Sequence, residues 1–325
     1  MVKTKSKGYK LGMVNKQGML FKDLCEMYFK RCEANGVSHH TTNGYKNILK
    51  YFYEYLQYEG VSEEFYCHEF TAYTFENFKV HIKHVRKVKD ITVNSYIRNL
   101  TPMLSYGMEL GYIEKFPYSY VKHQEVFKDI YTEEELKILL KKPSEEDTTN
   151  RFAEFRNWAI INFLLGTGIR ALELRELKIS NIDLREGLIN LSHTKNKKPR
   201  QVPISNVLHK VLVEYLQVRG GSPNDYLFCT SYGERMPRTT LQMGIIKYAK
   251  RRGVFRYSLH LFRHTFATLF LREGGDIYTL KRLLGHSSYR MTEYYLHLAG
   301  KDLKCATAFN PLDKIKVENT MIKRK

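Results

Sequence analysis

The sequence lacks a CxxC pair. Its five cysteines (Cys25, Cys32, Cys67, Cys229, Cys305) are odd in number and scattered, which excludes a disulfide framework and points to reduced intracellular thiols. Cys67-His68 with His81 and His84 follow no zinc-ligand spacing, so no metal is expected there. No apolar run approaches the roughly 20 residues of a membrane span. Lys3, Lys5, Lys7 and Lys10 precede no apolar leader segment, and a cytoplasmic protein with no membrane role is predicted. A carboxylate cluster able to hold Mg²⁺ is missing too, as are internal repeats and low-complexity blocks. Acid is also scarce, with 34 Asp plus Glu against 53 Lys plus Arg, a formal charge of +19. That excess calls for a polyanionic partner, and nucleic acid is the class left standing. A chain of 325 residues is long enough for two domains with cores of ordinary size.

What is present begins with periodicity. Residues 1–18 are basic and aperiodic and read as a flexible arm. Phe21, Leu24, Cys25, Tyr28 and Cys32 then fall at helical spacing. Tyr45, Ile48, Leu49, Phe52 and Leu56 repeat it, as do Val93, Tyr96, Ile97, Leu100 and Leu104, and more loosely Phe75, Phe78, Ile82 and Val85. Each set is one face of an amphipathic helix, and four such helices predict a small bundle over 19–117. Between them, SHHTTNGYKN (38–47) and KHVRKVKDIT (83–92) read as basic loops.

Residues 118–130 are the expected linker. A second unit, 131–312, opens with Thr132 and Glu135 placed as a capping box for a helix through Leu140. Helical stretches are expected at 157–165, 207–217 and 239–251. GLINLSHT and RQVPI flank NKKP as a hairpin around Lys195–Arg200. The fold class is therefore mainly α with a small antiparallel β-sheet, followed by a basic tail at 313–325.

Three islands in the second half place polar groups where an apolar stripe should run. In LLGTGIRALELREL (164–177) an apolar helix breaks at Gly166-Thr-Gly168, with Arg170 next and Glu173 one turn on, where it can orient the arginine. In SLHLFRHTFATLF (258–270) His260 and Arg263 share a helix face, while His264 reads as structural. In LKRLLGHSSYRMTEYYLHL (280–298) His286 follows Gly285, and Tyr289, Tyr294 and Tyr295 come after it. A phenol is only about 0.1 % ionised at neutral pH, so a nucleophilic tyrosine needs cations or a base beside it. The islands supply both. Two guanidiniums can fork onto a phosphodiester's non-bridging oxygens, a tyrosine can attack phosphorus, and a lysine or histidine can protonate the leaving 5′-oxygen. Such chemistry requires no cofactor.

The order and spacing of these motifs resemble the tyrosine recombinase (phage integrase) family over about residues 20–311. TGIRALEL is similar to the family's first arginine box, which maps Arg170 as catalytic and Glu173 as its acidic brace. HLFRHTFAT resembles the His-x-x-Arg box and maps His260 and Arg263. LLGHSSYRMTEYY resembles the Leu-Gly-His stretch and maps His286, and the nucleophile nine residues later is Tyr295. TKNKKPRQVPI resembles the segment of the catalytic lysine. Counting back from Arg200 indicates Lys195, with Lys197 and Lys198 as alternatives.

The first half resembles the family's helical core-binding domain, beside an α+β catalytic domain. The resemblance implies DNA contacts from His40, Thr41, Lys46, Lys83, Arg86, Lys89, Asn94 and Arg98, with Lys197, Lys198 and Arg200 adding contacts from the hairpin. It implies a recombinase or integrase of a mobile element or phage that acts through a 3′-phosphotyrosyl link. The implied partners are double-stranded DNA, three further copies in a homotetramer on two DNA sites, and an accessory directionality factor. Leu303, Ala306 and Phe309 mark a docking segment at 301–312. The rival readings are a type IB topoisomerase and a DNA-binding regulator without catalysis.

Overall fold

A computed structural model describes residues 18–62, 64–122, 129–143, 151–191, 199–289 and 292–295. The chain divides into two compact units, Met1–Val126 and Phe127–Lys325.

The first unit contains helices α1 (Phe21–Ala34), α2 (His39–Tyr58), α3 (Ala72–His84) and α4 (Asp90–Leu110). Its core is aromatic. The Phe52 ring lies 5.0–5.6 Å from Phe21, Phe65, Phe70 and Phe78. Such pairs add about 0.5–1.5 kcal/mol each to ordinary burial. The periodic residues of α1, α2 and α4 supply most of the remaining buried surface, but Val85, read as the last member of the α3 stripe, is 47 % exposed.

The two stretches read as basic loops are mostly helix. SHHTTNGYKN forms the start of α2, with the Ser38 hydroxyl accepting from the Thr41 amide as N-cap. Its His, Thr, Asn and Gly residues are weak helix formers, and tertiary packing overrides them. Gly44 lies against the Asn99 side chain, and Tyr51 sits 5.1 Å from Tyr96, so α2 packs on α4 along that half. In KHVRKVKDIT only residues 85–89 lie between α3 and α4. Part of the expected linker is also tied down. The Asn94 side-chain amide pairs with both backbone groups of Val121 at 2.8 Å, and Tyr118 lies 5.6 Å from Phe75.

The second unit runs α5 (Glu133–Leu140), α6 (Arg151–Thr167), α7 (Ala171–Glu176), β1 (Ile182–Asp183), β2 (Leu188–Leu191), β3 (Arg200–Pro203), α8 (Asn206–Arg219), α9 (Arg238–Arg251), α10 (Leu259–Arg272) and α11 (Ile277–Leu284). Thr132 and Glu135 form the capping box of α5. The strands make an antiparallel sheet in the order β1-β2-β3, with Ile189 opposite Val202. The expected hairpin is β2 and β3, whereas the two-residue β1 has no periodic signal of its own.

Helix α6 is the hub. Ala159, Ile160, Ile161, Phe163 and Leu164 are all buried, the pattern of a helix covered on every side. Two of its buried polar side chains find backbone acceptors. Arg156 donates to Cys229 O at 2.7 Å and Thr167 Oγ1 to Phe163 O at 2.6 Å. A smaller apolar cluster joins Ala267 and Leu271 of α10, Leu280 and Leu284 of α11, and Tyr295. It sets the end of α11 and the tyrosine side by side.

Candidate active site

The site is organised around the C-terminus of α11. A helix end leaves backbone carbonyls without intrahelical partners and carries a partial negative charge. Three guanidiniums answer it in succession. Arg200 Nε donates to Leu283 O (2.8 Å), Arg263 Nη2 to Leu284 O (2.8 Å) and Arg170 Nη2 to Gly285 O (3.0 Å).

Two glycines make this convergence feasible. Gly168 ends α6 at φ 61°, and a Cβ there would lie 2.3 Å from the Phe266 ring. Gly285 ends α11 at φ 63°, and its Cβ would meet the Arg200 guanidinium at 2.9 Å. Both positions need the left-handed conformation and have no room for a side chain. Gly168 O also accepts from Arg263 Nη1 at 2.8 Å. The break between α6 and α7 therefore fixes one arginine through its backbone while Arg170, two residues on, supplies another.

Among the described residues, Glu173 is the single carboxylate within this group. It accepts from the Arg170 amide (2.8 Å), Arg170 Nη1 (3.1 Å), Arg200 Nη1 (2.8 Å) and Arg200 Nη2 (2.9 Å). Burial would raise its pKa, but hydrogen bonds from Arg200 and then Arg170 outweigh burial and hold it below the usual range. Arg200 thus has both terminal nitrogens committed to Glu173. Its expected role as a DNA contact is replaced by that of a second brace. Local spacing could not show this, since Glu173 and Arg200 lie 27 residues apart.

Three guanidiniums against one carboxylate leave an excess of positive charge at a largely buried point. Burial, and then Arg170, push the Arg263 pKa down to about 10, so it stays cationic at neutral pH. His286 is also buried. Its Nε2 lies 2.9 Å from Arg263 Nη2, and its Nδ1 lies 2.9 Å from Thr292 Oγ1. Burial, followed by Arg263, Arg170 and Arg200, pushes its pKa down to about 3, which leaves the ring neutral.

Tyr295 is 4 % exposed. Its ring is nearly parallel to His286, with centroids 6.2 Å apart, and lies 5.5 Å from His264. Burial raises the Tyr295 pKa, while the charge and hydrogen bond of Arg263 oppose the rise. The phenol is therefore protonated at rest and sits beside a cation suited to phenolate charge.

Of the other tyrosines, Tyr294 is half-buried and edge-on to Tyr295 at 5.6 Å. Tyr289 is 39 % exposed and lies against Tyr278 and Lys281. His260 is exposed on the first turn of α10, one turn before the buried Arg263. Lys195, Lys197 and Lys198 lie outside the described residues, as does the 301–312 segment. The structure thus gathers Arg170, Glu173, Arg263, His286 and Tyr295, and adds Arg200 and Thr292, which motif reading had not placed there.

In the first unit, the residues expected to touch DNA divide. His40, Thr41, Lys46, Lys89 and Arg98 are exposed. Lys83 pairs with Asp90 at 2.8 Å. Arg86 pairs with Glu54 at 2.6 Å, over the Tyr51 ring at 3.8 Å. Asn94 is 2 % exposed and has its amide on Val121, so burial removes it from any duplex-facing set.

Comparison with known proteins matches this architecture. The phage integrase family matches residues 130–301, and the phage integrase SAM-like domain matches residues 20–126. The tyrosine recombinase XerC of Thermodesulfovibrio yellowstonii is 30 % identical over 280 residues, 82 % of this chain and 89 % of that protein. XerD of Shewanella oneidensis is 27 % identical over 279 residues, 82 % of this chain and 88 % of that protein. Among solved structures, the XerH site-specific recombinase bound to difH superposes with a TM-score of 0.65 at 22 % identity, covering 89 % of this chain and 83 % of that one. The Tn1549 transposon integrase in complex with circular intermediate DNA gives a TM-score of 0.69 at 20 % identity, covering 90 % and 99 %. With the arginine cluster, the buried tyrosine and a family match over most of its length, the chain belongs to the phage integrase family and is a tyrosine recombinase.

Proposed function

We propose that this enzyme carries out site-specific recombination on double-stranded DNA with Tyr295 as nucleophile. The observation that carries the reading is the convergence of Arg170 and Arg263 on one helix end beside His286 and Tyr295, with Glu173 as the only carboxylate of the group among the described residues. A phosphodiester there meets two guanidiniums that offset charge on its non-bridging oxygens as the transition state forms. Tyr295 Oη attacks phosphorus, and His260 takes the phenolic proton. Lys195 protonates the departing 5′-oxygen. The resulting 3′-phosphotyrosyl bond conserves the energy of the broken one, so another 5′-hydroxyl can religate it without ATP.

Strand exchange between two sites calls for four protomers. A groove of about 420 Å³ lined by Leu165, Phe266, Leu269, Phe270, Glu273 and Gly275 offers a largely apolar acceptor on the catalytic unit. Leu303, Ala306 and Phe309 of a neighbouring protomer have the spacing to fill it, and a head-to-tail contact of that kind closes a ring. The carrier, a phage or another mobile element, is read from the family resemblance, and genomic mapping of the element's borders tests it.

The chemistry is tested with a nicked suicide duplex, which should trap a covalent adduct in wild type and in Tyr294→Phe. Tyr295→Phe should bind DNA normally and form none. An adduct that survives Tyr295→Phe and disappears in Tyr294→Phe would move the nucleophile by one residue.

A further inference from the structure

We infer that Thr292 is a positioning residue that acts through His286 on Arg263, forming a chain of three side chains between the tyrosine's helical turn and the phosphate-binding arginine. The inference rests on the reading of Arg263 as a phosphate ligand.

A guanidinium carries donors only. The contact between Arg263 Nη2 and His286 Nε2 therefore makes Nε2 the acceptor. A neutral imidazole has one proton, which must then reside on Nδ1, where Thr292 Oγ1 accepts it at 2.9 Å. Thr292 is fully buried and His286 is 7 % exposed, so solvent is poorly placed to replace that acceptor. Arg263 thus fixes His286 as the Nδ1–H tautomer, and the Thr292 hydroxyl, as the acceptor of that proton, fixes the orientation in which Nε2 meets Arg263. The same threonine donates its amide to Tyr289 O at 2.6 Å and lies in the helical run 292–295 that carries Tyr295. Residues three apart on a helix share a face. The chain consequently fixes the nucleophile's turn and the arginine's orientation together. In this state the lone pair on Nε2 of His286 orients Arg263.

Valine is nearly isosteric with threonine but accepts no hydrogen bond. In Thr292→Val the proton on Nδ1 faces a methyl group, so the buried ring loses the acceptor that holds its orientation and Nε2 shifts away from Arg263. A displacement of about 1 Å at a reacting group can cost roughly 100-fold in rate. Single-turnover cleavage by Thr292→Val should therefore fall by about that factor with DNA affinity unchanged, and Thr292→Ser should restore most of it. Side-chain ¹⁵N spectra of His286 should show a hydrogen-bonded Nδ1–H in wild type and Thr292→Ser, and an Nδ1–H shifted to the position of an unbonded group in Thr292→Val.

Wild-type cleavage by Thr292→Val, or an Nε2–H tautomer in the wild-type enzyme, would overturn the chain. So would a Thr292→Ser variant that keeps the hydrogen-bonded Nδ1–H and stays as impaired as Thr292→Val. If Thr292→Val does not fold, the serine variant and the wild-type spectrum still decide. If wild type forms no Tyr295 adduct, the functional reading fails, while the ¹⁵N spectra judge the chain on their own.

Discussion

Replacing Glu173 by glutamine removes one charge and no volume, at a side chain only 1 % exposed. The carboxylate accepts four hydrogen bonds, two at each oxygen. A glutamine amide keeps one oxygen, and its NH₂ group then points at donors of Arg170 or Arg200. Two charge-assisted bonds are lost at about 1.5–3 kcal/mol each, or roughly 3–6 kcal/mol. That agrees with the roughly 3–5 kcal/mol cost of breaking one side of a buried ion pair. For a unit of this size about 1 kcal/mol shifts the melting temperature by roughly 2–4 °C, so Glu173→Gln should melt some 6–20 °C lower. Added sulfate should recover part of the loss, because an anion can take up charge that the carboxylate no longer balances. Thermal unfolding by circular dichroism, with and without sulfate, measures both effects. A melting temperature within about 2 °C of wild type would refute the picture of a carboxylate holding the arginines together.

Three further outcomes follow from the same geometry and from the motif assignments. Lys195→Ala should cleave ordinary DNA poorly and recover on a substrate with a 5′-bridging sulfur, whose leaving group needs no proton; equal loss on both substrates would remove Lys195 from the acid role. His286 has its folded pKa lowered to about 3. Below about pH 6.5 the unfolded chain binds a proton that the folded ring refuses, so stability drops between pH 6.5 and 3 by up to roughly 1.4 kcal/mol per pH unit from this group. Urea unfolding of His286→Asn should therefore show a shallower acid dependence than wild type, and parallel pH profiles would contradict a neutral buried histidine. Truncation after Gly300 should leave single-site DNA binding intact and abolish synapsis in gel-shift and strand-exchange assays, whereas a truncated protein that still recombines would dismiss docking in trans.

Local chemistry written in the sequence was enough to specify several of the elements. The stripes of α1, α2 and α4, the capping box of α5 and the alternation of β2 and β3 depend on neighbours within a few residues, and those neighbours can be read in order. The islands that hold Arg170, Arg263, His286 and the tyrosines were legible too, because two guanidiniums, an imidazole and a phenol suit one reaction, while it was the family resemblance that singled out Tyr295. Local reading failed where packing outvoted propensity. The start of α2 looked like a loop until Ser38 capped it and Gly44 met Asn99.

Only the tertiary structure decided how the charges pair. Asn94 and Arg200 look alike in sequence, as polar residues on a basic chain, yet one is buried against Val121 and the other is locked to Glu173. The proton position on His286 was equally beyond reach, since it depends on Arg263, 23 residues away. Periodicity records which face of an element is buried. Hydrogen bonds between distant residues form only when the chain brings donor and acceptor within about 3 Å, and that distance is a property of the folded molecule.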